Sequence, residues 1–323
     1  MKLISLLSLF IMGLSAFAHD DRDWRTEYLS YLYLDYQFPQ SVEEPKFRIN
    51  VPFYKEKLAV LTGMSPVPGT QEKILERKSI KRLDLARTFL KNEFESLGFK
   101  VNLHYFGNGT NIIAEKLGTK SPEKILIVSA HIDSVGNAGA NDDGTGVIGM
   151  LAIAKELSKK TYDYTIRFVG FDREEKGMAG SEVYAATLQN KSDIIGNINL
   201  EMLGHNSKKD GAFHIIDCDS ILFANRAPKY GSDKLSAVMK EVIISLKLDL
   251  TVVRTCTGRS DHASFWKNKM PAIVISENFF GGDPDPCYHA SCDVMDERIN
   301  YPYIQKILEA TLSTVEILIS AEK

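Results

Sequence analysis

The run ILIVSA at residues 125–130 carries a single polar side chain and stops at His131. A strand with one wet face alternates polar and apolar residues. An unbroken run of this length suits a strand covered on both faces, at the centre of a parallel sheet. The neighbouring segments fit that frame. Residues 165–171 read as another strand, ending in the acidic cluster 172–175, and residues 194–202 as a third, with Glu201 near its end. Residues 145–157 and 181–188 read as helices between them. Upstream, apolar residues recur at helical spacing over 82–97 and stop at Gly98, and strands are expected at 100–106 and 111–114. Downstream, strands near 213–217, 250–254 and 272–276 alternate with helices over 234–246 and 303–321. The expectation is an α/β three-layer sandwich with a central, mostly parallel mixed sheet.

No Gly/Pro/Ser linker or internal repeat divides the 323 residues, and 44% hydrophobic content suffices for one large core. A formal net charge of −3 gives no reason to expect nucleic acid or an anionic membrane as partner. Residues 1–18 read as a signal peptide: Lys2, an apolar stretch, then Ala16-Phe-Ala18 as a small-x-small cleavage site. The mature protein is therefore expected to be secreted or periplasmic. Residues 19–60, polar and aromatic without a clear period, read as an N-terminal extension, and 61–323 as the main domain. Cys218, Cys256, Cys287 and Cys292 lack a CxxC spacing, so disulfides or free thiols are expected rather than a cysteine zinc site.

Chemistry-bearing residues collect where strands give way to loops: His131, Asp142, Glu174, Glu175 and Glu201, with His289 in a late loop. Taken singly, each has a bland explanation. His131 with Asp133 two residues on could be a satisfied core histidine, Asp142 part of an Asn/Asp-rich turn, and Glu174-Glu175 a solvated acidic turn. Glu201 is harder to dismiss, because a carboxylate in an apolar strand needs a cation or hydrogen bonds to offset desolvation. Together, two histidines and three carboxylates could hold two divalent cations if one carboxylate bridges. A further carboxylate would then be free to move protons. Ser260-Asp-His262 invites a serine-hydrolase reading, but adjacent residues cannot form a working triad and GxSxG is absent. HExxH, a P-loop and GxGxxG are absent as well.

The ordered fragments HIDS, GANDDGTG, FDREEKGMAGS, NLEMLG, RSDHASF and YHASCD resemble the co-catalytic zinc aminopeptidase family. That family includes secreted bacterial leucyl aminopeptidases, glutamate carboxypeptidase II and glutaminyl cyclase, and the resemblance covers roughly residues 55 to 320. It implies two zinc ions per chain: His131 and Glu201 on one, Glu175 and His289 on the other, Asp142 bridging. It also implies Glu174 as general base and Asp133 as the partner that orients His131. Glu201 stands where many members carry Asp. The implied activity is an exported aminopeptidase acting on peptides with a free N-terminus. A single-zinc glutaminyl cyclase and a carboxypeptidase or dipeptidase of the same family are the alternatives. A non-catalytic ectodomain, as in transferrin-receptor relatives, would have lost metal ligands that are retained here.

Overall fold

The computed structural model describes residues 46–219 and 230–320, which fall in one compact unit. The expected signal peptide and residues 19–45 lie outside the described residues. The strands are β1 (Lys100–Phe106), β2 (Gly109–Lys116), β3 (Ser121–His131), β4 (Tyr164–Phe171), β5 (Ile194–Glu201), β6 (Ala212–Ile216), β7 (Thr251–Val252) and β8 (Ala272–Glu277). The helices are α1 (Val51–Leu61), α2 (Ile80–Ser96), α3 (Gly146–Leu157), α4 (Ala179–Thr187), α5 (Ser232–Ser245), α6 (His262–Lys267) and α7 (Tyr301–Leu318).

Among the described residues the strands form one sheet in the order β1-β2-β4-β3-β5-β8-β6-β7. The four central strands β4, β3, β5 and β8 are parallel, while β2 joins β4 and β6 joins β8 in antiparallel fashion. Residues 126–131 of β3 are all buried, as the apolar run requires. The two faces are read off β4. Phe168 stacks with Phe94 of α2, whereas Phe171, three residues on, meets Tyr184 of α4 and Phe265 of α6. Helix α3 packs on β3 and β5 with α1 and α7 beside it; α4 and α6 pack together on the opposite side.

This connectivity sets the place of the site. The chain leaves β3, crosses through α3 to β4, and then crosses back through α4 to β5 on the other side of β3. Right-handed crossovers in opposite directions put α3 and α4 on opposite faces and leave a crevice at the carboxyl end of β3.

Two helices depart from the sequence reading. Helix α1 begins inside the stretch assigned to the extension. Asn50 caps it, accepting from Phe53 N at 2.8 Å, and Tyr54, Leu58 and Leu61 form its buried stripe. The Tyr54 hydroxyl donates to Thr145 O at 2.7 Å, tying α1 to the start of α3. The period is real but short, and the polar residues read with it diluted the signal. Helix α6 occupies the Ser260-Asp-His262 region, where Phe265 and Trp266 are buried.

The β3–α3 loop is moulded around a fully buried cation. Arg77 donates to Ile132 O at 2.8 Å, to Gly139 O at 2.8 Å and to Ala138 O. Gly139 has φ +58, and a Cβ there would stand 2.6 Å from the Arg77 guanidinium. Only glycine fits. No helix among the described residues is long and apolar enough to cross a membrane.

Two substitutions test these packing claims by urea unfolding of the purified chain. Leu58→Ala should cost about 2–5 kcal/mol, as for a leucine deep in a core. Arg77→Met should cost about 3 kcal/mol, because it strands three buried carbonyls and removes the charge opposing the acids of the crevice. A loss under about 1 kcal/mol for Leu58→Ala, the level of a surface substitution, would detach α1 from the core.

Candidate metal centre

The crevice collects residues from neighbouring strand ends. His131 closes β3, Glu174 and Glu175 follow β4, and Glu201 closes β5. Asp142 comes from the β3–α3 loop and His289 from the loop between β8 and α7. His131 Nε2 lies 3.1 Å from Asp142 Oδ1 and 3.3 Å from Glu201 Oε1. On the other side, His289 Nε2 lies 3.2 Å from Asp142 Oδ2 and 3.1 Å from Glu175 Oε2. The five residues read from the sequence thus converge, and Asp142 stands between the imidazoles with one oxygen toward each.

Asp133 organises this arrangement. Its Oδ1 accepts from Glu174 N at 3.0 Å and its Oδ2 from Glu175 N at 3.2 Å, and Oδ1 is 3.5 Å from His131 Nδ1. The nearer partner of Nδ1 is the Asp133 backbone carbonyl at 3.2 Å, and these contacts turn the Nε2 lone pair toward Asp142 and Glu201. Arg173, with φ 66, supplies the left-handed kink that delivers the two glutamates.

Asp143 is a second carboxylate beside His131. One group of donor atoms lying within 4.8 Å of one another comprises His131, Asp143 and Glu201; another comprises Asp142, Glu175 and His289. Hydrogen bonding separates the two aspartates. Asp143 Oδ2 accepts from His131 N at 3.2 Å, and Oδ1 accepts from Gly146 N at 3.1 Å and Met202 N at 3.0 Å. A Cβ on Gly146 would run into that carboxylate at 2.4 Å. Asp143 is thus engaged by the backbone, whereas both oxygens of Asp142 face imidazoles. Asp293 is engaged in the same way, accepting from Asn141 N at 2.7 Å and Asp142 N at 3.1 Å.

Burial and crowded charge govern the protonation of the centre. Burial alone would lower His131, but Glu201, Asp133 and Asp142 raise its imidazole well above the usual range. Burial pushes the Glu174 carboxyl well up, and burial with the Asp142 charge takes Glu175 up to about 7. Asp142 is held below the carboxylate range: hydrogen bonds from His131 and His289 overcome its burial. Glu175 Oε1 is buried without a hydrogen-bond donor, and Asp142 Oδ2 has His289 Nε2 alone beside it. Imidazole nitrogens and carboxylate oxygens facing each other at about 3 Å, with a buried oxygen left over, fit a divalent cation on each side of Asp142. Such cations would invert the pKa ordering, favouring ionised carboxylates and neutral imidazoles.

His289 has φ 57 and is 40% exposed, stacked on Tyr288 at 3.8 Å. It sits inside the six-residue loop closed by the Cys287–Cys292 disulfide; the second disulfide is Cys218–Cys256. Ser260 and His262 do not address each other. Ser260 Oγ donates to Glu201 Oε2 at 2.5 Å, while His262 Nε2 contacts Thr257 O at 2.8 Å and burial lowers its pKa to about 4. Asp261 between them is fully buried, and burial raises its carboxyl to about 7. Asp143 and Asp293 were not read as part of the site, and their fragments, NDDG and SCD, carried the only signal; residues 260–262 and Tyr288 are implied by the resemblance as wall residues. A narrow cleft beside Glu201 has a mixed wall, with Ile216, Phe279 and Tyr288 among its apolar residues and Thr257, Arg259 and His262 among its polar ones.

Residues 111–315 match peptidase family M28. The chain is 33% identical over 193 residues to aminopeptidase Y of Saccharomyces cerevisiae, an alignment covering 57% of this chain and 34% of the yeast protein. It spans less than half the length of the first curated relatives it matches. BSAP, a zinc aminopeptidase from Bacillus subtilis, is similar in structure with a TM-score of 0.58 and 27% identity, over 67% of this chain and 51% of that one. Bacteroides thetaiotaomicron glutaminyl cyclase shares the fold with a TM-score of 0.64 at 18% identity, over 88% of this chain and 100% of that one. Because the family match runs through the ends of β3, β4 and β5 and the His289 loop, across most of the sequence, the chain belongs to peptidase family M28.

Proposed function

We propose that the protein is an exported zinc aminopeptidase that binds two ions per chain and removes N-terminal residues from peptides. The observation that carries this reading is Asp142, whose two oxygens stand 3.1 and 3.2 Å from two different imidazoles. His131 and Glu201 would hold one zinc, Glu175 and His289 the other, and Asp142 both. Bound there, zinc supplies Lewis acidity toward a peptide carbonyl and makes water more acidic.

The chain's own groups account for the rest. Glu174 belongs to neither donor group, yet its backbone is pinned by Asp133 beside Glu175. Its carboxylate takes the proton of the attacking water and returns it to the leaving amine. Asp133 holds His131 and the Glu174-Glu175 turn in one register. The cleft beside Glu201, where Phe279, Phe280 and Tyr288 stand with Arg259 and Thr257, is the place this reading assigns to the side chain of the first residue. Export is supported by the signal-like residues 1–18 and by two disulfides, which persist in oxidising compartments.

Release of N-terminal residues, followed with aminoacyl chromogenic substrates, should stop on treatment with a chelator and return with zinc. Persistent activity after metal analysis shows an empty protein would remove the metal from the reaction. Glu174→Gln should retain zinc and lose roughly 10²–10⁴-fold in kcat, the range for a general base. Loss of zinc instead would make Glu174 a ligand. A peptide beginning with Gln should yield free glutamine; a pyroglutamyl product and one zinc per chain would identify a cyclase.

A further inference from the structure

Below the crevice, a line of polar side chains runs through the sheet interior. Ser129, Asn197 and Asn199 are fully buried and Ser260 nearly so, although packing alone would favour apolar residues there. Ser129 and Asn199 are register partners on the parallel strands β3 and β5. Each lies two residues before a candidate ligand, His131 and Glu201, and therefore on the same face of its strand.

An ionised Glu201 can only accept, and this fixes the direction of the hydrogen bonds. Asn197 Nδ2 donates to Ser129 Oγ at 2.8 Å, and the Ser129 hydroxyl donates to Asn199 Oδ1 at 2.7 Å. With its oxygen engaged, Asn199 turns Nδ2 to Ser260 Oγ at 2.8 Å. A hydroxyl has one proton, and an amide nitrogen can only donate, so the Ser260 proton is directed to Glu201 Oε2, at 2.5 Å. Oε2 is thereby occupied, and Oε1, 3.3 Å from His131 Nε2, is the oxygen left facing the crevice.

We propose that Ser129, Asn199 and Ser260 form a positioning relay that fixes the orientation of Glu201, so that this residue presents one defined oxygen to a cation. The need is physical. Glutamate has one more rotatable bond than aspartate, and holding it in a single pose costs more side-chain entropy unless a partner anchors it. The relay rests on the two-cation reading above and adds how one of its donor sets is held.

The test is a zinc titration of the full chain in competition with a chromogenic chelator. The wild-type protein should show two binding steps. In Asn199→Leu and Ser260→Ala one step should weaken by roughly 10–100-fold, as when the partner of a ligand is removed, with the other unchanged. Ser260→Thr, which keeps the hydroxyl, should restore the wild-type curve. Near-ultraviolet circular dichroism checks folding, and Ser260→Ala decides the matter if Asn199→Leu does not fold. Unchanged affinities, or equal weakening of both steps, would overturn the relay. Fewer than two steps in the wild-type protein would instead overturn the two-cation reading, and the relay with it.

Discussion

A concentration of negative charge in a sheltered crevice is the constraint around which this molecule is arranged. Asp133, Asp142, Asp143, Asp261 and Asp293 are all buried, and Glu174, Glu175 and Glu201 beside them are half-buried. Burying carboxylates is unfavourable unless each finds hydrogen bonds or a cation. The fold meets the demand in two ways. Asp133, Asp143 and Asp293 accept from backbone N–H groups of Glu174, Glu175, His131, Gly146, Met202, Asn141 and Asp142, and so shape the loops that carry the site. Glu175 keeps a buried oxygen without a donor, and the Asp142 carboxylate meets only the two imidazoles. Acids of the first kind build the crevice, and acids of the second kind give it a use.

The same division explains why loop backbone matters as much as side-chain identity. Arg77 and Gly139 set the course of the chain toward Asp142. Left-handed conformations at Arg173 and His289 turn the chain where two further donors are delivered. A site assembled from four separate loops has no local cooperativity of its own. It borrows rigidity from the sheet edge, from α3 and from the Cys287–Cys292 closure.

Much of the fold was legible because its signals are local. The ILIVSA run, the pattern over 82–97 ending at Gly98 and the alternation of strands and helices each reflect burial within one element. Helix α1 was missed because only four buried positions, Tyr54, Leu58, Val60 and Leu61, announce it. Part of the site was legible for a different reason. An acid or histidine at the end of an apolar strand costs free energy wherever the strand finally lies, so His131 and Glu201 stand out without a structure. Asp143 and Asp293 did not, because an acid in a polar loop has no conspicuous environment until the chain has folded.

Residue chemistry and strand periodicity alone therefore determined a three-layer α/β body and a set of histidines and carboxylates at strand ends. The family resemblance implied Asp142 as the bridge, but that Asp143 is engaged by the backbone was decided only by tertiary structure. So were the seat of Glu201 above Ser260 and the pairing of the four cysteines. The reason is range: periodicity and charge act within an element, whereas hydrogen bonds such as Asp143 to Met202 N or Ser260 to Glu201 join residues 59 positions apart. Those partners meet only because the chain reverses its winding at β3.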